Sequence, residues 1–297
     1  MNIEHQLTSI FCEMDDFCKE LDNQVKKTLL TGPTNSGKTR GPDCALTNSE
    51  IATILIMFQT IRFRDFKTFY CDFLQKYWRE YFPKLPTYER FVELIKRAIL
   101  PLTLFIHVKS GKQNNIYYID SSCLPVCHIK RSKRHKTFEE IAQYGKTSVG
   151  WFFGLKIHLV VNDKCEIMAF KMTSGSTHDS QCAEDLLSNL QGLAFGDKGY
   201  LGKSQYNNLL KNGLKLITRK RKNMKNQEVL SDYERQLLNQ RNIIETVFDH
   251  LKHHYQIWHT RHRSIWNAMT HLVAAIAAYV IEPLKMSAIK LLAETHY

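Results

Sequence analysis

Apolar residues in the first third of the chain recur with the spacing of α-helices. One helix face is defined by four apolar residues at i, i+3, i+4 and i+7: Ile51, Ile54, Leu55 and Phe58. Thr47 or Ser49 is the predicted N-cap of that helix. Similar spacing predicts helices over residues 3–28 and 86–104. We therefore expect an all-helical module over residues 1–110, acting either as a helix-turn-helix DNA reader or as a packing and dimerisation module.

From Asn114 onward the pattern changes to short apolar runs separated by turn residues. Strands are predicted over residues 115–120, 155–161, 165–172, 192–196 and 214–218. Helices are predicted over residues 180–190, 203–212 and 231–255. The turn Asn162-Asp163-Lys164 joins the second and third strands as a hairpin. This order predicts an α/β fold over residues 111–297, an RNase H-like core with a mixed five-stranded sheet, flanking helices and C-terminal helices.

Positive charge is concentrated in the same part of the chain. The net charge is +12, with 15 Lys/Arg against 13 Asp/Glu in residues 1–110 and 26 against 16 in residues 111–297. Such an excess indicates a polyanionic partner, and nucleic acid is the commonest one. The candidate phosphate-binding residues lie in two clusters: Lys130, Arg131, Lys133 and Arg134, then Lys198, Arg219, Lys220, Arg221 and Lys222. We expect them to contact the DNA backbone with little sequence selectivity.

Two acidic residues end apolar runs in this domain. Asp120 follows Ile116-Tyr117-Tyr118-Ile119, and Asp197 follows Leu193-Ala194-Phe195-Gly196. The carboxyl ends of strands form the edge at which open α/β sheets bind ligands. If the two strands are neighbours, both carboxylates would reach one metal site.

A third acid lies on the predicted helix 231–255. At 100° per residue, Arg241, Glu245 and Lys252 fall within about 40° on one helix face. Ile244 and Val247 belong to the adjacent apolar stripe. Glu245 would therefore stand at the border of the buried face, where its carboxylate could approach the sheet edge.

The order Asp, Asp, then Arg-x3-Glu-x6-Lys resembles the catalytic core of bacterial insertion-sequence transposases of the DDE type. The similarity extends to several segments: Asp120-Ser121-Ser122, Gly154-Leu155-Lys156-Ile157-His158, Gly175-Ser176-Thr177-His178-Asp179 and Gly196-Asp197-Lys198-Gly199-Tyr200. Over nearly the whole chain, the sequence is most similar to the insertion-sequence 982 family.

This resemblance implies a DNA transposase that hydrolyses and joins phosphodiesters at element ends. Asp120, Asp197 and Glu245 would be the catalytic and metal-binding residues, with Mg²⁺ or Mn²⁺ bound as a pair of ions about 3.5–4 Å apart. Arg241 and Lys252 would bind phosphates beside them. The partners would be double-stranded DNA, at the element ends and the target, and further copies of the chain on that DNA. Two alternatives stay open: an RNase H-like nuclease without strand joining, and a non-catalytic DNA-binding regulator.

One segment points to a different function. Gly32-Pro33-Thr34-Asn35-Ser36-Gly37-Lys38-Thr39 matches the P-loop pattern, but residues 26–30 make a poor strand and Gly41-Pro42 would stop the helix that must follow. We therefore expect no nucleotide site and no role for ATP. The eight cysteines contain no CxxC pair, and no apolar run has the length of a membrane span. These features predict a cytoplasmic protein with reduced thiols and no membrane partner.

Overall fold

The structure is a computed structural model that describes residues 2–31, 45–200, 202–219, 230–258, 262–283 and 285. Its helices are α1 (Ile3–Thr31), α2 (Asn48–Ile61), α3 (Phe66–Thr68), α4 (Gln75–Tyr77), α5 (Tyr88–Leu94), α6 (Ile99–Val108), α7 (Ser180–Leu187), α8 (Lys203–Lys211), α9 (Asp232–Asn239), α10 (Asn242–Asp249) and α11 (Ile265–Ile281). Its strands are β1 (Ile116–Cys127), β2 (Gln143–Lys146), β3 (Trp151–Asn162), β4 (Ile167–Ser174), β5 (Gly192–Gly196) and β6 (Leu214–Thr218). Short 3₁₀ helices occur at Ile95–Ala98, Ile129–Arg134 and Lys198–Tyr200, and π-helical turns at Phe69–Leu74 and His250–His254.

The chain divides into two compact units. The first contains the described residues of Met1–Val108 and His262–Tyr279, and the second those of Lys109–Arg261 and Val280–Tyr297. Most of α11 therefore belongs with the N-terminal helices, which a single boundary at residue 110 does not describe. A domain boundary at that position, and a DNA-reading role for the first module, remain predictions.

Helix α2 shows why the helices of the first unit begin where they do. The Thr47 hydroxyl accepts a hydrogen bond from the Glu50 amide at 3.1 Å, and the Glu50 carboxylate accepts one from the Thr47 amide at 2.7 Å. This reciprocal capping box satisfies two amides that the helix itself cannot bond. Of the two predicted caps, Thr47 is the one that the structure uses.

Aromatic rings fill the interior of the first unit. Phe66 stacks on Phe91 with ring centroids 5.6 Å apart and meets Phe58 edge-on at 5.1 Å. The same ring lies 5.0 Å from the imidazole of His271 in α11. Gln59 of α2 donates a hydrogen bond to the His271 carbonyl oxygen at 3.3 Å. These contacts explain why α11 belongs to this unit.

The second unit has the predicted RNase H-like sheet. β1 pairs antiparallel with β3 and parallel with β5, and β6 pairs parallel with β5. β4 pairs antiparallel with the other edge of β3, which confirms the predicted hairpin and the mixed five-stranded sheet. The short β2, which was not predicted, pairs with β3 beyond the end of β4.

Two elements differ from their predicted form. β1 continues through Asp120 to Cys127, so Asp120 does not end the strand. The predicted helix 231–255 is interrupted at Gln240 and Arg241, and it turns π-helical from His250 to His254. Lys252 therefore does not share a regular α-helical face with Arg241 and Glu245. No helix in the described ranges combines the length and the apolar character that crossing a bilayer requires.

Candidate active site

The parallel strands bring two of the predicted acids to the same edge of the sheet. Ile119 of β1 is in register with Gly196 of β5, and Gly196 is in register with Thr218 of β6. Asp120 and Asp197 are therefore the first residues beyond the β1–β5 pairing. Although β1 continues past Asp120, it does so paired with β3, so the parallel part of the sheet still ends at the two acids.

Asp120 is mostly buried, with 21% of its side chain exposed. Its Oδ2 atom accepts a hydrogen bond from Arg241 Nη1 at 3.0 Å, and its Oδ1 atom accepts one from the Ser121 amide at 2.8 Å. Burial raises the pKa of Asp120 to about 6, and this rise outweighs the lowering by the Ser121 amide and Arg241. The negative charges of Asp197 and Asp179 raise the pKa of Asp120 further. Burial is therefore the main reason that the Asp120 carboxyl group holds its proton more tightly than an exposed one, and the two neighbouring acids add to this effect.

Arg241 connects Asp120 to Glu245. Its Nη2 atom lies 3.6 Å from Glu245 Oε1, while its Nη1 atom bonds Asp120. Gln240 lies in the interruption between α9 and α10, and it accepts a hydrogen bond from the Tyr118 hydroxyl of β1 at 3.4 Å. This bond holds the interruption against β1, so the neighbouring Arg241 guanidinium lies close to Asp120. Glu245 lies in the first turn of α10, and 60% of its side chain is exposed. Arg241 thus places Glu245 near Asp120, while Asp197 follows the neighbouring strand β5.

A fourth acid, Asp179, was missed as a site residue. Its Oδ1 atom accepts hydrogen bonds from Ser121 Oγ and Lys156 Nζ, both at 3.1 Å. A Cβ atom on Gly199 would lie 3.2 Å from its Oδ2 atom. Asp179 therefore touches the residue that follows Asp120 and the turn that follows Asp197. The segment Gly175–Asp179 contributed to the family resemblance, but nothing local indicated that its acid would reach both strands.

The buried side chains of His158 and Tyr200 pack next to Asp179, with His158 Nδ1 4.0 Å from Asp179 Oδ1. His158 Nδ1 is 3.4 Å from the Tyr200 hydroxyl, and its Nε2 is 3.0 Å from Thr173 Oγ1. Burial lowers the pKa of His158 to about 4, so the imidazole is neutral at pH 7. Burial also raises the pKa of Tyr200 well above its usual value. Tyr200 ends the Asp197-Lys198-Gly199-Tyr200 segment, and its buried ring fixes the turn that carries Asp197.

The predicted cationic residues occupy several positions. Lys130, Arg131, Lys133 and Arg134 are exposed on the 3₁₀ helix after β1. The buried Ser132 between them forms a 2.6 Å hydrogen bond with the Tyr144 hydroxyl, which holds this helix on the sheet. Lys198 and Arg219 are exposed just after β5 and β6. Lys220, Arg221 and Lys222, and the P-loop-like segment 32–39, lie outside the described residues.

Lys252 lies beside two aromatic rings, and its predicted contact with a DNA phosphate stays a prediction. Its Nζ atom lies 5.0 Å from the ring centroid of Trp258 and 5.7 Å from that of Phe248. Within the described ranges, Lys252 forms no ion pair with Asp120, Asp197 or Glu245. Its ammonium group is therefore held by aromatic faces.

Comparison with known proteins identifies the family of this chain. The family model described as "Transposase DDE domain" matches residues 110–265, more than half of the chain. The chain belongs to this transposase family. Among solved structures, this DDE-domain protein resembles the cryo-EM structure of the piggyBac transposase synaptic complex with hairpin DNA. The TM-score is 0.47 and the identity 12%, over 97% of this chain and 74% of that one. No curated protein matches the sequence.

The donor set of the site fits a hard divalent cation. Asp120, Asp197 and Glu245 offer only carboxylate oxygens, which Mg²⁺ and Mn²⁺ prefer. A bound cation would also favour the ionised form of Asp120, which burial disfavours. Asp179 is already bonded to Lys156 and Ser121, so it is better placed to support the site than to bind the ion.

Proposed function

We propose that this protein is the transposase of an insertion sequence, closest to the insertion-sequence 982 family, acting on the DNA ends of its own element. One observation carries the proposal: Asp120 and Asp197 follow paired positions of two parallel strands, and Arg241 ties Glu245 to Asp120. A protein that only binds DNA gains nothing from acids gathered where the phosphates would lie, because like charges repel. The reaction is metal-dependent phosphodiester hydrolysis followed by strand transfer.

In this proposal Asp120, Asp197 and Glu245 hold Mg²⁺ or Mn²⁺. The bound ions supply Lewis acidity, which activates the attacking oxygen and stabilises the departing one. Arg241 holds the Asp120 and Glu245 carboxylates together in the absence of DNA. With cations held by those acids, the Arg241 guanidinium would be able to bind a DNA phosphate in a bidentate manner.

Asp179 is a positioning residue in the same proposal. Its carboxylate accepts hydrogen bonds from Ser121 and Lys156 and contacts Gly199. It thereby sets the separation of the two chain segments that carry Asp120 and Asp197. Lys156 is held in turn by the Thr177 carbonyl oxygen at 3.0 Å, so the support extends from β3 to the start of α7.

The exposed cations after β1, β5 and β6 are the proposed contacts to the DNA backbone. Arg219 follows Thr218 of β6 just as Asp197 follows Gly196 of β5. A positive side chain therefore stands beside the acids on the same sheet edge. The 3₁₀ helix Ile129–Arg134 adds four exposed charges to the same unit. We propose that several copies of the chain assemble on the same double-stranded DNA.

The decisive experiment uses labelled duplexes that carry the DNA sequences flanking the coding region, incubated with the protein, Mg²⁺ and a target plasmid. We expect nicks at one position in each end, followed by labelled joins to the plasmid. Nicks without joins would show the nuclease alternative. Specific binding with no nick in Mg²⁺ or Mn²⁺ would show the regulator alternative. Glu245→Gln is the control for contaminating nucleases.

A further inference from the structure

A second cluster of potential ligands lies beyond the end of α10. His250 and His254 are the first and last residues of the π-helical turn His250–His254, and Glu282 follows α11 in the chain. His250 Nε2 lies 3.0 Å from Glu282 Oε2, and the two imidazole centroids are 4.4 Å apart. One ligand atom from each of the three residues lies within 4.8 Å of the others. All three residues belong to the second unit.

We propose that His250, His254 and Glu282 form a binding site for a zinc ion. Two imidazole nitrogens and one carboxylate oxygen make a common protein ligand set for Zn²⁺, which leaves a fourth position for water. Ligand atoms bound to one zinc at about 2.1 Å are about 3.4 Å apart in tetrahedral geometry. The observed ligand atoms all lie within 4.8 Å of one another, so no pair needs to approach by more than about 1.4 Å to reach that arrangement.

The surroundings prepare these residues for a cation. The Tyr255 hydroxyl donates a hydrogen bond to Glu282 Oε2 at 3.2 Å, which orients the carboxylate. Burial acts to raise the pKa of Glu282, but His250, His254 and the Tyr255 hydrogen bond together lower it. The carboxylate is therefore ionised at pH 7. The side chain of His250 is only 10% exposed and that of Glu282 22%, so a bound ion would be partly shielded from water.

The nitrogen ligands separate this site from the acidic one. Imidazole favours zinc and other late transition metals, whereas sites made of carboxylates alone favour Mg²⁺ and Mn²⁺. The zinc ion would link the segment after α11 to the turn that continues α10, the helix that carries Glu245. Bound there, zinc would hold the C-terminal end of α10 in place. The inference does not depend on the proposed transposition reaction.

The test is zinc binding to the metal-free, untagged full-length chain, measured by calorimetry in excess Mg²⁺ to occupy the acidic site. We expect one zinc ion per chain. His254→Ala and Glu282→Gln should each weaken zinc affinity on the order of 100-fold. His253→Ala is the matched control, because His253 is an exposed histidine on the same π-helical turn that lies outside the cluster. The control should bind zinc like the unmodified chain.

Two further measurements keep the proposal open to refutation if a variant folds poorly. Co²⁺ added to the unmodified chain should give visible absorption bands of tetrahedral strength, and zinc should displace them. Zinc should raise the melting temperature of the unmodified chain and of His253→Ala, but not that of Glu282→Gln. The absence of zinc binding in the unmodified chain would overturn the proposal. So would binding that both cluster variants retain at full strength.

Discussion

The interiors of the two units differ in the polar groups that they contain. In the first unit, Phe58, Phe66 and Phe91 pack ring against ring, and the buried polar side chains are uncharged groups such as Thr53 and Gln59. In the second unit, the partly buried charges of Asp120 and Arg241 meet at one edge of the sheet, beside the exposed side chains of Asp197 and Glu245. The first interior is arranged for packing alone. The second keeps a carboxyl group whose pKa is raised to about 6, chiefly by burial, next to further acids, and such perturbed groups are typical of functional sites.

The largest expected effect tests the acidic edge of the second unit. Asp120→Asn, Asp197→Asn and Glu245→Gln should each reduce end cleavage in Mg²⁺ by at least about 10⁴-fold, about 5.5 kcal/mol in the activation free energy. The amides preserve shape but lose the charge that binds the metal, so DNA affinity should change little. Asp185→Asn removes an exposed acid elsewhere in the unit and serves as the control. If one of the three variants still cut DNA efficiently, the residue it changes would not belong to the active site.

The aromatic interior of the first unit should respond in stability. Phe91 is fully buried and its ring lies 4.8 Å from that of Tyr70. Phe91→Ala should lower the free energy of unfolding by about 3–5 kcal/mol, because it leaves a cavity among the rings. Denaturant titration would measure this loss, with the 70% exposed Tyr77→Ala as the control. Equal effects of the two substitutions would contradict the described core.

Asp120 should make the second unit less stable as its carboxyl group ionises. Its pKa in the folded chain is about 6, against an ordinary value of 3.8, so folding favours the protonated form. The contribution of Asp120 to the free energy of unfolding is therefore full below about pH 4 and is lost as the pH rises through about 6. Asp120→Asn should therefore stabilise the metal-free protein above about pH 6 by up to about 3 kcal/mol. Thermal unfolding of both proteins in chelator, at about pH 4.5 and about pH 8, would measure this gain in stability. A gain of equal size at both pH values would contradict the raised pKa of Asp120.

Asp179 should have an intermediate effect, because it positions the acids and does not bind the metal. Asp179→Asn should lower the single-turnover cleavage rate by about 10–100-fold, corresponding to about 1.4–2.7 kcal/mol. DNA affinity and the melting temperature should remain close to normal, since Asn keeps an acceptor for Ser121 and Lys156. A complete loss of cleavage, as in Asp120→Asn, would instead place Asp179 among the metal ligands.

The smallest effects should separate the surfaces of the two units. Neutralising Lys130 and Arg131 to Gln should weaken binding to all DNA sequences and reduce the salt slope by about 1 for each phosphate that is no longer neutralised. Lys96 and Arg97 are the matched control, being exposed on a 3₁₀ helix of the first unit. Binding isotherms at several salt concentrations would decide. An equal response of both pairs would mean that the first unit also binds DNA.

The boundaries of short strands were predictable where apolar runs end at glycine or at turn residues. β5 and β6 match the predicted ranges 192–196 and 214–218, because β5 begins and ends at glycine and β6 directly follows Gly213. The second half of β1 was missed, since Ser121, Ser122 and Pro125 are weak strand formers and only pairing with β3 extends the strand. The interruption before α10 was also missed, because residues 239–242 contain neither Gly nor Pro.

The sequence by itself determined most of the helical and strand segments and the excess of positive charge, and it selected Asp120, Asp197 and Glu245 as candidate site residues. These follow from local periodicity and from a recognisable order of residues. Only the tertiary structure decided that Arg241 bridges Asp120 and Glu245, that Asp179 joins them, and that His250 and His254 meet Glu282. Each of these contacts joins segments whose encounter depends on strand order and helix packing. Local periodicity determines which residues share a face, whereas packing between distant segments determines which faces meet.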